Sequence, residues 1–107
     1  KKGIGSKLLE DSRIGVETRL VEQLLAEIGK EGLYAYGEDE VAKALAAGAV
    51  DILLVTSTSA RSHRFEPHMD KANQSGAKVV VVSEHNDAGK KLESLGAVGA
   101  ILRFRIS

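Results

Sequence analysis

The sequence contains no cysteine, no tryptophan and a single proline among its 107 residues. Without cysteine, the chain can form neither a disulfide framework nor a thiolate metal site. This absence fits an intracellular protein, and we expect a cytoplasmic one. Aromatic residues are also scarce, with two tyrosines and two phenylalanines. Clustered aromatic platforms for stacking the bases of single-stranded nucleic acid are therefore not expected.

Neither sign of charge predominates, because 15 lysines and arginines balance 15 aspartates and glutamates. A dedicated nucleic-acid-binding protein usually has a basic excess, so the composition argues against that class. The apolar runs are too short to span a bilayer and no signal-peptide pattern is present, so we predict no membrane partner. Because the chain begins at Lys1 rather than at a methionine, we expect it to be processed or to be part of a longer protein.

What the sequence does contain is an alternation of apolar runs with helix-length polar stretches. The runs that are typical of strands lie at residues 33–36, 50–56, 78–83 and 100–106. Such alternation indicates an α/β protein with a largely parallel sheet. We predict a three-layer α/β/α sandwich with four strands in a mixed sheet. Residues 13–107 should form this single domain, and residues 1–12, with glycines and serines among charges, a linker or tail.

Two of the strands carry specific expectations. The strand at residues 78–83 should be the most buried, because four consecutive valines leave it no solvent-facing side. In the last strand, Arg103 and Arg105 alternate with apolar residues. This strand should therefore have one exposed face, and it is our candidate for the antiparallel member of the sheet.

Glycine and capping residues mark the connections between strands and helices. Gly37 permits a tight turn into a helix that begins with three carboxylates at residues 38–40, where they suit the helix dipole. A polar loop is predicted at residues 57–64, ahead of a helix that carries the sole proline in its first turn. Asn86 or Asp87 is predicted to cap the helix after the third strand.

Two clusters contain side chains that could carry chemistry. His63, Glu66 and His68 are of zinc-ligand type, but their spacing matches no common metal site. His85 follows the strand at residues 78–83, at a sheet edge where ligands often bind, and could act as a general base. No nucleophile pairs with it in sequence, and no glycine-rich phosphate loop follows a strand. We therefore interpret the first cluster as a solvated loop-to-helix junction and His85 as a residue that orders the turn before a helix cap, and we predict no catalytic residue, metal or cofactor.

Several segments resemble the C-terminal domain of the Pelota family, whose members are paralogous to class-1 release factors. The segments that carry the resemblance are residues 17–25, 36–41, 48–55, 83–92 and 100–104. They reach over roughly nine-tenths of the chain and include a Tyr-Gly turn and an Ile-Leu-Arg-Phe ending. The pair that is more usually Gly-Gly before the last strand is Gly96-Ala97 here. The compact form and the lack of cysteine indicate an archaeal member.

The resemblance implies a protein-docking domain in ribosome rescue and mRNA surveillance, and not an enzyme. Pelota-like proteins enter stalled ribosomes with a translational GTPase of the elongation-factor type, and promote subunit separation with an ABC-type recycling ATPase. The alternatives are the C-terminal domain of an archaeal class-1 release factor and a kink-turn RNA-binding domain. The family's fold resembles that of kink-turn-binding ribosomal proteins, but three carboxylates at residues 38–40 would repel a phosphate backbone.

Charged residues at strand ends are the candidate docking residues, because loops in such positions commonly carry function. The candidates are Glu38, Asp39, Arg61, His63, Arg64 and His85. The members at residues 61–64 form a local basic excess, and those at residues 38–39 belong to an acidic corner. Charges of opposite sign would favour the orientation and the association rate of a partner more than its affinity.

Overall fold

The architecture comes from a computed structural model, which describes the backbone of residues 2–105 and the side chains of residues 15–105. The helices are α1 (Lys2–Gly29), α2 (Glu38–Ala46), α3 (Ser57–Arg61), α4 (Glu66–Gln74) and α5 (Asp87–Ser94). The strands are β1 (Tyr34–Tyr36), β2 (Val50–Thr56), β3 (Lys78–Val82) and β4 (Val98–Leu102). Helices and strands therefore alternate along the chain as predicted, with two helices between β2 and β3.

The four strands form one mixed sheet in the order β1-β4-β2-β3. β2 and β3 are parallel, whereas β4 is antiparallel to both of its neighbours. The predicted mixed sheet and its antiparallel last strand are therefore confirmed. Since β1 and β2 both run opposite to β4, the carboxyl ends of β1, β2 and β3 lie at one side of the sheet, which we call the carboxyl edge.

Helices cover both faces of the sheet, so the predicted three-layer arrangement is confirmed. On one face, α1 and α5 contribute Val21, Leu24 and Leu92, none of which is exposed. On the other face, α2 and α4 contribute Val41 and Ala72, which are also fully buried. The three- and four-residue spacing of apolar residues places them on one side of each helix, and this is what lets the helices pack on the sheet.

The last strand is shorter and more central than the sequence predicted. β4 ends at Leu102, and all five of its residues are buried between β1 and β2. Arg103 and Arg105 lie beyond the strand, so the predicted charged face of the last strand is wrong. Arg103 instead donates from Nε and Nη2 to the carbonyl oxygen of Val50, at 3.1 and 2.7 Å. The alternating charges therefore belong to the segment after the strand, where a guanidinium can reach a free carbonyl.

β3 is an edge strand and not the most buried one. Val81 is 41% exposed, whereas Val82 is fully buried. An edge position leaves one side of the strand without a neighbour, so solvent reaches residues that a central strand would cover. The prediction from four consecutive valines was wrong because apolar composition does not record the place of a strand within the sheet.

The first helix begins earlier than the sequence predicted. α1 starts at Lys2, so residues 2–12, which were predicted to be a linker or tail, have helical backbone. The role of this stretch as a linker stays a prediction, and the side chains before Gly15 lie outside the described residues. Although α1 has 28 residues, no helix within residues 2–105 is long and apolar enough to cross a membrane.

Candidate docking surface

The candidate residues all lie at the carboxyl edge, and all are exposed. The connection after β1 carries Glu38 and Asp39, that after β2 carries Arg61, His63 and Arg64, and that after β3 carries His85. The last two connections are neighbours, because β2 and β3 are paired. The first is separated from them by β4 in the sheet order. The structure therefore places residues of both signs along one edge, with the basic group beside His85.

The connection after β2 begins with a helix rather than with the predicted irregular loop. α3 has five residues, and the side chain of its N-cap Thr56 accepts a hydrogen bond from the amide of Ser59 at 3.4 Å. The Thr56 hydroxyl also donates to Oγ of Ser59 at 2.9 Å, and both residues are buried. The run of serines and threonines therefore caps and begins a helix. Arg61 is the last residue of that helix.

A buried aromatic ring holds the basic loop, which we define as residues 61–64. Phe65 has no exposed surface, and the guanidinium carbon of Arg64 lies 4.7 Å from the centroid of its ring. His63 has a positive φ of 61°, and its Nδ1 lies 3.4 Å from Oε1 of Glu66. A cation over a ring face is attracted by the ring quadrupole, so Arg64 has a preferred position. Phe65 is not recognisable as an anchor from the sequence, because it stands alone between charged residues.

Glu84 connects α3 to the turn after β3. Its Oε1 accepts hydrogen bonds from Oγ of Ser57 at 3.0 Å and from the amide of Thr58 at 2.9 Å, and the Thr58 hydroxyl donates to the same oxygen. The bond from the Thr58 hydroxyl is the largest cause that lowers the pKa of Glu84; burial opposes the shift, and Arg61 adds to it. The carboxylate is therefore charged at neutral pH. This role is not visible in sequence, because the donors lie 26 and 27 residues away.

The turn after β3 ends in a helix cap. Asn86 is the N-cap of α5, and its Oδ1 accepts a hydrogen bond from the amide of Gly89 at 2.9 Å, so the predicted cap is confirmed. Gly89 packs so closely on the turn that a Cβ there would lie 2.7 Å from Cα of Glu84. The amide of His85 donates to Oγ of Ser83 at 3.2 Å. The backbone around His85 is thus held by several contacts while its side chain is exposed.

The two histidines near the start of α4 face different partners. His63 pairs with Glu66, whereas Nε2 of His68 lies 3.2 Å from the carbonyl oxygen of Glu38. Because a carbonyl can only accept, His68 donates this hydrogen bond from Nε2. Among residues 15–105, no three histidine or acidic side chains are grouped so that they could hold a metal ion. The His68 contact joins α4 to the acidic corner instead.

The acidic corner comprises residues 38–40, in the first turn of α2. Gly37 precedes it with a φ of 85° and a ψ of 155°, a conformation that residues with a side chain rarely adopt. The predicted tight turn at this glycine is therefore confirmed. Glu40 forms an exposed ion pair with Lys43 at 3.6 Å. Glu38 and Asp39 are exposed in the same helical turn.

A family model, eRF1 domain 3, matches residues 14–106 of the chain. The chain belongs to the eRF1 domain 3 family. Within this family, a protein pelota homolog from Methanocaldococcus jannaschii is 47% identical over 106 residues. The match covers 99% of this chain and 30% of that relative, so the chain spans about three-tenths of the relative's length. The resemblance to the Pelota family that the sequence showed is thereby confirmed.

Solved structures of eRF1 domain 3 relatives have the same fold. Archaeoglobus fulgidus Pelota is 33% identical with a TM-score of 0.86, over 94% of this chain and 33% of its own. S. cerevisiae Dom34, a translation termination-like factor involved in RNA quality control pathways and interacting with Hbs1, is 26% identical with a TM-score of 0.79, over 96% of this chain and 31% of its own. A model of ribosome-bound archaeal Pelota and ABCE1 contains a chain that is 38% identical with a TM-score of 0.78, over 100% of this chain and 31% of its own.

Proposed function

We propose that this chain is the protein-docking domain of a Pelota-like factor that acts in ribosome rescue and mRNA surveillance. The observation that carries the proposal is the carboxyl edge, where three connections carry exposed charged side chains and the basic loop is held by its neighbours. Phe65 positions Arg64, and hydrogen bonds to Glu84 hold the helix that ends in Arg61. An ordered surface loses less conformational entropy when a partner binds, which favours docking.

Charge of both signs at the carboxyl edge also supports docking. The basic loop and His85 lie on neighbouring connections, and the acidic corner lies beyond β4. A partner with an acidic patch facing the basic loop and a basic patch facing the acidic corner would be oriented as it approaches. Such complementarity accelerates association and excludes wrong partners, and it needs no catalytic group.

The partners implied by the family resemblance are a translational GTPase of the elongation-factor type and an ABC-type recycling ATPase. Two of the similar proteins support this: archaeal Pelota is described bound to the ribosome with ABCE1, and Dom34 as interacting with Hbs1. We propose that this domain docks at least one such partner in the cytoplasm, and that the full-length protein engages the ribosome. On this proposal the domain is not an enzyme and uses no cofactor.

The test reverses the charges of the basic loop. The double variant Arg61→Glu, Arg64→Glu should bind the GTPase and the ATPase about tenfold more weakly or worse, because exposed interface charges contribute up to about 1 kcal/mol each. Most of the loss should lie in the association rate. Titrations at two salt concentrations should show a smaller difference at high salt, because salt screens exposed charges.

A matched control reverses two lysines away from the carboxyl edge. Lys71 lies near the end of α4 and Lys78 is the first residue of β3, and both are exposed. Lys71→Glu with Lys78→Glu makes the same change in net charge and should leave binding unchanged. Equal weakening in the control would mean that only net charge matters. Unchanged affinity of the Arg61, Arg64 variant for both partners would remove the basic loop from the docking surface.

The alternative from a different class is a kink-turn RNA-binding domain. In ribosomal proteins of that kind an Asn-Glu pair begins the helix after the first strand, whereas residues 38–40 place three carboxylates there. Carboxylates at a phosphate contact are repulsive, so we expect no shift of kink-turn RNA in a gel at physiological salt. Tight binding of kink-turn RNA would contradict the proposal that the domain docks proteins only. A Gly-Gly-Gln motif in an adjoining domain of the full-length protein would favour the release-factor alternative.

A further inference from the structure

Glu84 lies between two connections that carry docking residues. Its Oε1 receives hydrogen bonds from Ser57 and Thr58, which form the first turn of α3. The same helix ends at Arg61, and Glu84 directly precedes His85 in the chain. One carboxylate therefore joins the start of α3, in the connection after β2, to the turn after β3 that contains His85.

The position of α3 depends on side-chain hydrogen bonds to residues outside the helix. A helix of five residues is not stable in isolation, because the first turn of a helix is costly to form. The cap at Thr56 contributes one amide hydrogen bond of 3.4 Å, which is long. The hydrogen bonds from Ser57 and Thr58 end on a carboxylate, and hydrogen bonds to ionised groups are the stronger kind. Glu84 is therefore well placed to decide where α3 lies.

We propose that Glu84 is a positioning residue of the docking surface, because its carboxylate fixes α3 against the turn after β3. Arg61 and His85 then meet a partner as one surface and not as two independent loops. This inference rests on the proposed docking function and adds to it a residue that acts through its neighbours. What matters in this role is the acceptor oxygen of Glu84, which receives the hydrogen bonds from α3.

The direction of a mutational effect separates positioning from direct electrostatics. Removing the Glu84 carboxylate makes the surroundings of Arg61 more positive. A surface that acted through charge alone would then bind an acidic partner more tightly. Loss of positioning has the opposite consequence, because α3 would have to be ordered during binding at a cost in entropy.

Three variants of the chain test the proposal in titrations with the GTPase and the ATPase. Glu84→Ala removes the acceptor and should weaken binding about tenfold, the equivalent of one lost charge-assisted hydrogen bond. Glu84→Gln keeps an acceptor oxygen, but its hydrogen bonds are not charge-assisted, so it should weaken binding clearly less than Glu84→Ala, by about threefold. Asp87→Asn removes a neighbouring exposed carboxylate at the start of α5 and should bind at least as tightly as wild type.

Hydrogen exchange on the chain without a partner gives a readout that does not depend on docking. The amides of Thr58 and Ser59 should exchange faster in Glu84→Ala, and in Glu84→Gln at a rate between those of Glu84→Ala and wild type. Unchanged or tighter binding by Glu84→Ala would overturn the proposal, and so would an equal loss of binding in Glu84→Gln. If charge reversal at Arg61 and Arg64 still weakens binding in that case, only the role of Glu84 is lost. If that reversal also has no effect, the docking function of this surface is lost as well.

Discussion

Gly89 offers a sharp test of how the carboxyl edge is built. It lies in the first turn of α5, where alanine is ordinarily favoured over glycine by about 1 kcal/mol. In this chain, however, a Cβ at position 89 would overlap the carbonyl group of Ser83 and lie 2.7 Å from Cα of Glu84. Both neighbours are backbone groups, so no side-chain rotation can relieve the contact. Gly89→Ala should therefore destabilise the protein.

The size of the effect follows from two opposing contributions. Forcing an extra methyl group into a packed site costs about 1–3 kcal/mol. Because the overlap here is with backbone atoms, the cost should lie in the upper part of that range, about 2–3 kcal/mol, and the gain in helix propensity returns about 1 kcal/mol. The expected net loss is about 1–2 kcal/mol, which lowers the Tm of a domain of this size by about 5–15 °C. The turn that must move is the one that holds Glu84, so the Thr58 amide should also exchange faster.

Thermal unfolding monitored by circular dichroism measures the change in Tm, and Gly15→Ala is the matched control. Gly15 lies within α1, and nothing lies within 4 Å of a Cβ placed there. The same substitution at that position should raise the free energy of unfolding by up to about 1 kcal/mol. A Gly89→Ala protein as stable as wild type would refute the reasoning, because it would show that the turn moves without cost.

Three further predictions concern stability. Phe65→Ala should lower the free energy of unfolding by about 3–5 kcal/mol in urea titrations, because the ring is fully buried; a loss below about 1 kcal/mol would show that the core closes over the space. Ala97 has a φ of 71°, a conformation that suits glycine. The free energy of unfolding of Ala97→Gly should therefore stay within about 0.5 kcal/mol of wild type, whereas the control Ala44→Gly in α2 should lower it by about 1 kcal/mol. Equal losses in the two variants would contradict this prediction. The Leu33 amide donates to Oε1 of Glu27 at 2.7 Å and is the largest cause that lowers the pKa of this carboxyl below 4.5. The ionised Glu27 carboxylate stabilises the fold above its unfolded-state pKa, and this contribution is lost as pH falls through the lower folded-state pKa. The free energy of unfolding of Glu27→Gln should therefore change less between about pH 6 and pH 3 than that of wild type. Identical pH profiles of the two proteins would exclude this role.

Local features of the fold were predictable because they depend on neighbours in sequence. The spacing of Val21 and Leu24 indicated a helix with one buried side. Asn86 or Asp87 was expected to cap α5, and Asn86 does so through the amide of Gly89. Gly37 was expected at a tight turn, and it has the positive φ that such a turn needs. Each of these depends on the conformation of a few consecutive residues, which the sequence expresses directly.

The order of strands in the sheet was not predictable in the same way. β3 and β4 have similar apolar composition, yet β3 is at the edge and β4 lies between two strands. Apolar composition does not record whether a strand has a neighbour on both sides, and Val81 of the edge strand β3 is exposed where all five residues of β4 are buried. Arg103 was misleading for a related reason, because its contact with Val50 joins positions that are 53 residues apart.

The sequence by itself determined the alternation of helices and strands, the family of the chain, and the exposed charges at the strand ends. Tertiary structure alone decided which of these charges lie together and what holds them. Phe65 supports Arg64 from the buried side of the basic loop, and Glu84 reaches Thr58 from 26 residues away. The physical reason is that the hydrogen bonds to Glu84 form between two connections that only the pairing of β2 with β3 brings within reach, and that Phe65 is buried only where the core forms around it.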